Sequence, residues 1–578
     1  MKKIRFIWIA FGIGLLCAYL GFKGLGNAYF WDDESLVGIT ATNLLETGKM
    51  AAWDGVNLYS YRNGGMVTDD LRMNTPPLDV WVCALSFKIM GPSVLSGRLP
   101  FVLAGLLALM FFFLILEKEF PQQDSLKVYM LVSFAFSTLF LLNIRQCRYN
   151  SFAIMSSLGC FYFYLKTLDD KKIWPFAGMA LMGVLLFYAN SMFCAAFLVS
   201  IGMMHLIFHH REYSGFQWKA ISLAIAGFLA LTVPYALYYK IWIRHDFDFI
   251  YADSSLIRKC KLIFWYLRDM NLINALPWMF LVLLGILKGR EKTALPHGNK
   301  IIQWGFIGVM NILMIALISP QPTNNPGYGD VRYLMVSYAF MIGISGYILW
   351  LLYRKYPLAG HLLLVIYIFS NIFTLIPFSK QLKLIPYNLN FQWLLPAYLV
   401  EIHSEYPTGT PPVAEFLLQN VKPGEMVMSW PEHTVYPLRF ITGKKIFYGC
   451  GLNRYTHLDP AKIRALDSRL LLEDNYPDWF VSYGLRNDTP SLLEMFQRTH
   501  WEGDREIQYR YRMVKYIDYY WDQTQRPEIY WHHFGPKRDF APVLEGIYIF
   551  KRVRPEEDQT RRTEPERDRA ASESKAGR

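Results

Sequence analysis

The stretch Phe30-Trp31-Asp32-Asp33-Glu34 is separated by eight residues from the end of the first apolar segment, 4–21. Three adjacent acids are ordinary on a soluble surface. Here they open a loop, 23–98, held between two apolar segments, and ionisable groups kept at a bilayer are costly enough to suggest a task. Asp32 or Asp33 could simply N-cap a helix running from Glu34 to about Thr47, which Gly48 would end. A cap also fixes the side chain, so the same carboxylate could serve as a preorganised general base.

Working outward, the chain is 53% hydrophobic and 16% aromatic yet 18% charged, a mixture that suits a membrane part joined to a water-facing part. Apolar segments at 4–21, 99–116, 128–144, 149–165, 173–188, 192–208, 220–239, 273–287, 301–319, 333–352 and 362–378 give eleven expected spans. Alternate short connections carry Lys2, Lys3 and Arg5, then Lys166, Lys171 and Lys172, then Arg211, then Lys288, Arg290, Lys292 and Lys300, then Arg354 and Lys355. The positive-inside rule places all of these in the cytoplasm, and so places the acidic loop and the chain after 378 outside. No small-residue cleavage site follows the first segment and Lys23 interrupts its tail, which favours an uncleaved span in a bacterial inner membrane.

After 378 the composition turns mixed. Strand-like runs at 425–430, 479–483 and 546–550 alternate with helical patterns at 413–420 and 460–472. The expected fold is therefore mainly α: a polytopic helical bundle over 1–380, an extracytoplasmic α/β domain over 381–553, and a charged, disordered tail over 554–578. Seven cysteines form no disulfide framework and no zinc spacing. His209-His210 and Trp531-His532-His533 lack a third ligand nearby and read as packing; no metal ligand set or cofactor is implied, and a divalent cation stays open. The net charge of +12 forms no basic stripe interleaved with stacking aromatics, which argues against nucleic acid. The loop 240–271 mixes Trp242, Phe247, Phe249, Tyr251 and Trp265 with Arg244, Arg258, Lys259 and Arg268, as an interfacial segment would.

The acidic loop continues to Asn74-Thr75-Pro76-Pro77-Leu78 and Trp81, and closes on Arg98-Leu99-Pro100. An Asp-Glu pair after the first span, a Pro-Pro-Leu-x-x-Trp element and an Arg-Leu-Pro entering the second resemble the GT-C membrane glycosyltransferases, the protein O-mannosyltransferase and ArnT-like aminoarabinose transferase group. The resemblance implies a hexosyl- or pentosyltransferase that moves a sugar, with inversion, from a polyprenyl-phosphate donor to an extracytoplasmic acceptor such as protein, lipid A or another glycan. It implies that Asp33 is the catalytic base with Glu34 beside it, and Asp32 leaves that assignment open by one position. A leaving phosphate needs cations, which Arg98, Arg145, Arg148 and Arg332 offer on the same side; outward arginines also snorkel to headgroups. Thr75 stands where ArnT-like members carry a lysine, and Arg148-Tyr149-Asn150 where they often carry an acid, which weakens an aminoarabinose reading. A lipid-linked glycan flippase or transporter is the alternative from another class, but the spans are nearly free of the midplane charges it would use. An oligosaccharide ligase or polymerase is the other alternative.

Overall fold

The computed structural model describes residues 2–59, 64–169, 172–239, 256–290, 295–318, 331–374, 391, 393–404, 409–449, 457–471, 476–484, 499–502, 505–508, 510–518, 529–530, 535–536 and 546–553. The chain opens with α1 (Lys2–Phe22), and two helices then occupy the acidic loop, α2 (Asp32–Thr47) and α3 (Pro77–Met90). A run of helices follows: α4 (Val94–Glu119), α5 (Asp124–Ala135), α6 (Thr138–Ile144), α7 (Asn150–Asp169), α8 (Trp174–Ala189), α9 (Ser191–Phe208) and α10 (Gly215–Tyr239). It continues with α11 (Leu256–Leu272), α12 (Trp278–Arg290), α13 (Gly298–Ile318), α14 (Met335–Lys355) and α15 (Pro357–Phe369).

Every expected span overlaps one of these helices. Among the described residues, five are long and apolar enough to cross a membrane: Val94–Glu119, Ser191–Phe208, Gly215–Tyr239, Gly298–Ile318 and Arg332–Lys355. The expected straight span at 128–144 is instead α5 and α6, bent by 54°. The chain leaves helical geometry at Ser137, whose ψ of 120° breaks the ladder. Part of the loop 240–271 (240–255), the end of the last expected span (375–378), Trp531-His532-His533 and the tail 554–578 lie outside the described residues. The Asn190-Ser191 turn is a capped joint, since the Asn190 side chain accepts from the Met192 and Phe193 N–H groups.

The bundle core is aromatic. Trp304 of α13 is 1% exposed and sits among Phe112, Phe161 and Phe340, while Phe112 stacks on Phe134 at 4.4 Å. No water competes inside such a core, so shape complementarity between helices does the holding.

The later chain adds α16 (Leu394–His403), α17 (Thr410–Asn420), α18 (Val435–Thr442) and α19 (Pro460–Leu466) around a five-stranded sheet. Its strands are β1 (Met426–Trp430), β2 (Phe447–Tyr448), β3 (Trp479–Tyr483), β6 (Arg510–Ile517) and β9 (Ile547–Val553), in the order β2-β1-β3-β9-β6. The short pairs β4 (Thr499–Glu502) with β5 (Arg505–Gln508) and β7 (Ile529–Tyr530) with β8 (Gly535–Pro536) lie outside it. β1 pairs parallel with β2 and β3, and β9 runs antiparallel to β3 and β6. The runs expected at 425–430, 479–483 and 546–550 are thus β1, β3 and β9.

This sheet does not bury its own face alone. Its core of Val413, Leu417, Val427, Val481 and Ile549 is continuous with Leu36 of α2 and with Ala52, Leu58, Val67 and Met73 of the acidic loop. Polar ties reinforce the join. Asn57 donates to the Ile446 carbonyl (3.0 Å) and accepts from the Tyr448 N–H (2.7 Å), and Arg439 pairs with Asp54 at 3.0 Å. Phe30, just before the acids, packs on Phe440 with ring centroids 4.9 Å apart.

Gly97 is where that packing leaves no room: a Cβ there would strike the Phe30 ring. The ring cannot retreat, because Phe440 and the Arg98 guanidinium lie against it. Gly97→Ala is therefore expected to lower stability by about 1–3 kcal/mol, the usual range for overpacking, read as a lower thermal midpoint of the purified protein in detergent.

Candidate active site

The acidic cluster begins α2 rather than capping it. Trp31 is the N-cap, with extended backbone and no side-chain cap bond, so Asp32, Asp33 and Glu34 form the helix's first turn. The expectation that an aspartate caps a helix starting at Glu34 is corrected by two residues. Carboxylates in a first turn face the positive end of the helix dipole, which favours them there without a cap. Asp32 Oδ1 accepts the Asp33 N–H at 2.9 Å, satisfying one of the donors that a helix start leaves open. The far end follows expectation: Gly48 closes the helix at φ 71°, a left-handed conformation that costs glycine nothing.

The three acids have three different surroundings. Glu34 is fully buried. Its two oxygens take a bidentate pair from Arg98 (Nε to Oε1 2.8 Å, Nη2 to Oε2 2.6 Å), and Oε1 also accepts the Cys147 N–H at 2.8 Å. Arg98 gives its remaining donors to the carbonyls of Leu25 (3.1 Å), Ala28 (2.7 Å) and Tyr29 (3.1 Å). The guanidinium is thus spent inside the protein, on one carboxylate and three carbonyls.

Arg145 is also spent inside the protein. It donates to the carbonyls of Leu20 (3.2 Å), Gly21 (2.9 Å), Lys23 (2.5 Å) and Gly24 (2.8 Å), capping the carboxyl end of α1, where a cation is favoured.

Asp33 is the acid that meets partly exposed arginines. Its Oδ2 lies 2.6 Å from Arg148 Nη1 and 3.4 Å from Arg332 Nη1, so residues from α2, from the turn between α6 and α7, and from the start of the Arg332–Lys355 segment converge on one carboxylate. The Arg148 guanidinium is flanked by the rings of Trp31 and Tyr149, at 5.1 and 5.0 Å, which fix its plane. All three charged side chains keep some exposure: 27% for Asp33, 13% for Arg148 and 18% for Arg332. The cluster can therefore be reached by a ligand. Asp32, half-buried beside Asp33, has its carboxyl pushed up to about 7, first by burial and then by the neighbouring Asp33 charge.

Sequence reading missed Asp79. It sits as an unremarked position inside Pro-Pro-Leu-x-x-Trp, in the first turn of α3, and is 2% exposed. Burial holds its carboxyl well above the ordinary range, against the Arg148 charge. The available signal was an acid one turn before Cys83 on the helix face that has to be buried. At the other end of the bundle, His209 pairs with Glu212 at 2.9 Å.

Residues 74–238 match the family described as dolichyl-phosphate-mannose-protein mannosyltransferase. An uncharacterised protein of Aquifex aeolicus (strain VF5) is 22% identical over 426 residues, covering 69% of this chain and 76% of that one. Among solved structures, ArnT from Cupriavidus metallidurans in the apo state aligns with a TM-score of 0.50 at 14% identity, over 88% of this chain and 97% of that one. The same enzyme bound to undecaprenyl phosphate aligns with a TM-score of 0.50 at 13% identity, over 86% and 95% of the two chains. The likeness is one of fold, and it bears out the GT-C architecture that the loop motifs resemble.

Two outcomes follow from this geometry. Arg98→Ala leaves the buried Glu34 carboxylate without its counter-charge and is expected to cost about 3–5 kcal/mol, while Glu34→Gln/Arg98→Met recovers part of the loss; thermal midpoints in detergent measure both. Asp32 binds its proton more tightly in the folded chain, about 7 against an ordinary 3.8. Its contribution to stability is therefore lost as pH rises through that window, and Asp32→Asn flattens the melting temperature over the same window.

Proposed function

We propose that this chain is a GT-C-type glycosyltransferase that moves a sugar from a polyprenyl-phosphate carrier to an acceptor hydroxyl outside the cytoplasm, with Asp33 as the base. The observation that carries this reading is the placement of Asp33 Oδ2 at 2.6 Å from Arg148 and 3.4 Å from Arg332. One carboxylate with two partly open arginines supplies the two things the reaction needs, a proton acceptor and an anion clamp.

The acceptor oxygen attacks the anomeric carbon as the bond from that carbon to the phosphate oxygen breaks. The electron pair leaves with the polyprenyl phosphate, and the acceptor proton passes to Asp33. Arginine binds phosphate through paired donors, so an arriving phosphate draws Arg148 and Arg332 toward itself. Asp33 then gives up part of its contact with the arginines, which frees its oxygen for the acceptor proton and ties the base to occupancy by the donor. Arg98 and Glu34 act at one remove, fixing α2 and the turn that carries Arg148. Undecaprenyl phosphate bound to the ArnT of similar fold supports a polyprenyl-phosphate ligand here.

The same reading puts the apolar helices that fall short of full span length into eleven crossings, with the cytoplasmic end at the lysine-rich turns and the sheet region outside. A second assignment, Asp32 as proton acceptor, is favoured by its carboxyl sitting near 7.

Reconstituted protein given monosaccharide-linked and oligosaccharide-linked undecaprenyl phosphates separates transferase from ligase. In that assay Asp33→Asn is expected to lose at least about 100-fold in transfer while expression and melting temperature hold. Undiminished turnover in Asp33→Asn with loss in Asp32→Asn would move the base by one position.

A further inference from the structure

Two thiols meet in the apolar core that α2, α3 and α4 share, and the proposed reaction uses neither. Cys83 lies in the second turn of α3, and Cys147 in the turn between α6 and α7, immediately before Arg148. Their sulfur atoms are 3.8 Å apart although 64 positions separate them in the chain, and both residues are 0% exposed. The other described cysteines stand elsewhere, at Cys17 in α1, Cys160 in α7, Cys194 in α9 and Cys260 in α11. Chain spacing gives no sign of the pair; the packing of α3 on the turn creates it.

Both ends of the contact are held in place. Cys147 gives its N–H to the Glu34 carboxylate, which Arg98 pins in turn. Helix α3 is tied to the start of α4 by Ser86, whose hydroxyl donates to the Ser96 carbonyl at 2.5 Å. Val80, Ala84 and Phe87 of α3 and Phe101 of α4 share the core with the two cysteines. The sulfurs of a disulfide are about 2.0 Å apart, so the pair has to close from 3.8 Å to that distance. Rotation about the two Cα–Cβ bonds supplies a movement of that size.

We propose that Cys83 and Cys147 are the site of a native disulfide, which joins α3 covalently to the turn that carries Arg148. This rests on the reading that places the acidic loop outside the cytoplasm, where thiol pairs are oxidised. The oxidant is a disulfide of that compartment, carried by a dithiol oxidase. The Cys83 thiolate attacks one sulfur of the oxidant and displaces the other as a thiolate. The Cys147 thiolate then attacks the Cys83 sulfur of the mixed disulfide and displaces the oxidant's remaining sulfur. One S–S bond forms in the protein as one is lost in the oxidant, which takes up two electrons and the two thiol protons. Full burial of both sulfurs in the folded chain places this exchange before α3 has seated.

The test is a peptide map of the full-length protein, extracted from membranes with an alkylating maleimide present throughout, then denatured and digested without reductant. The peptides holding Cys83 and Cys147 are expected to be joined, two hydrogens lighter than their sum. The same map of Lys49→Cys reports where the loop lies, since position 49 is exposed and belongs to the same loop. Intact cells are treated with a membrane-impermeant maleimide, and the label is expected on the peptide that contains position 49.

Alkylated Cys83 and Cys147 with position 49 labelled overturns the proposal and leaves the outside placement standing. Alkylated Cys83 and Cys147 with position 49 unlabelled overturns both together. A link from Cys83 to any cysteine other than Cys147 overturns the proposal too.

Discussion

The buried pair between Glu34 and Arg98 is the interaction on which the rest of the site depends. Two charges out of water are tolerated only when geometry is close and every remaining donor and acceptor finds a partner. Here the pair is bidentate, the other arginine donors go to three carbonyls of 25–29, and the carboxylate also takes the Cys147 N–H. One ion pair therefore fixes the approach to α2, the first turns of α4 and the turn that ends in Arg148. The distance from Asp33 to Arg148 is set by that joint, since each residue is an immediate chain neighbour of one of its members.

The arginines near the acids divide into two kinds, and burial separates them. Arg98 and Arg145 are 8% and 5% exposed, and their donors are consumed by a carboxylate and by the carbonyls between Leu20 and Tyr29. Arg148 and Arg332 stay partly open and share a single carboxylate oxygen. The first kind holds the chain ends of α1 and α2 in place; the second keeps part of its positive charge exposed. An ion pair with an open side can exchange partners, whereas one that spends all five donors on the protein cannot.

The same logic extends to the acidic loop. A loop of this length tethered only at its ends would place Asp33 loosely. Instead its apolar residues Ala52, Leu58, Val67 and Met73 share a core with the sheet, and Asn57 and Asp54 tie it to Tyr448 and Arg439. Helix α2 rests on this core through Leu36, and Phe30 packs against Phe440 of α18. The sheet region thereby acts as the support for α2, and α3 packs on the Arg148 turn through Cys83 and Cys147.

Local pattern was enough for much of this. Apolar length located the bundle helices, alternation located β1, β3 and β9, and Gly48 marked the end of α2, because each of these depends on neighbours in the chain. The resemblance built on Asp33-Glu34, Pro-Pro-Leu-x-x-Trp and Arg-Leu-Pro drew attention to the loop in which Asp33 meets Arg148 and Arg332. Local pattern did not separate Arg98 and Arg145 from Arg148 and Arg332, and it passed over Asp79 entirely. Those distinctions depend on which carbonyls, carboxylates and rings arrive from residues far away in the chain, as with Arg332 reaching Asp33 across 299 positions. Sequence determined which residues could carry charge at the membrane's edge; only the packing of α2, α3 and the α6–α7 turn decided which of those charges are spent on the fold and which are left partly exposed.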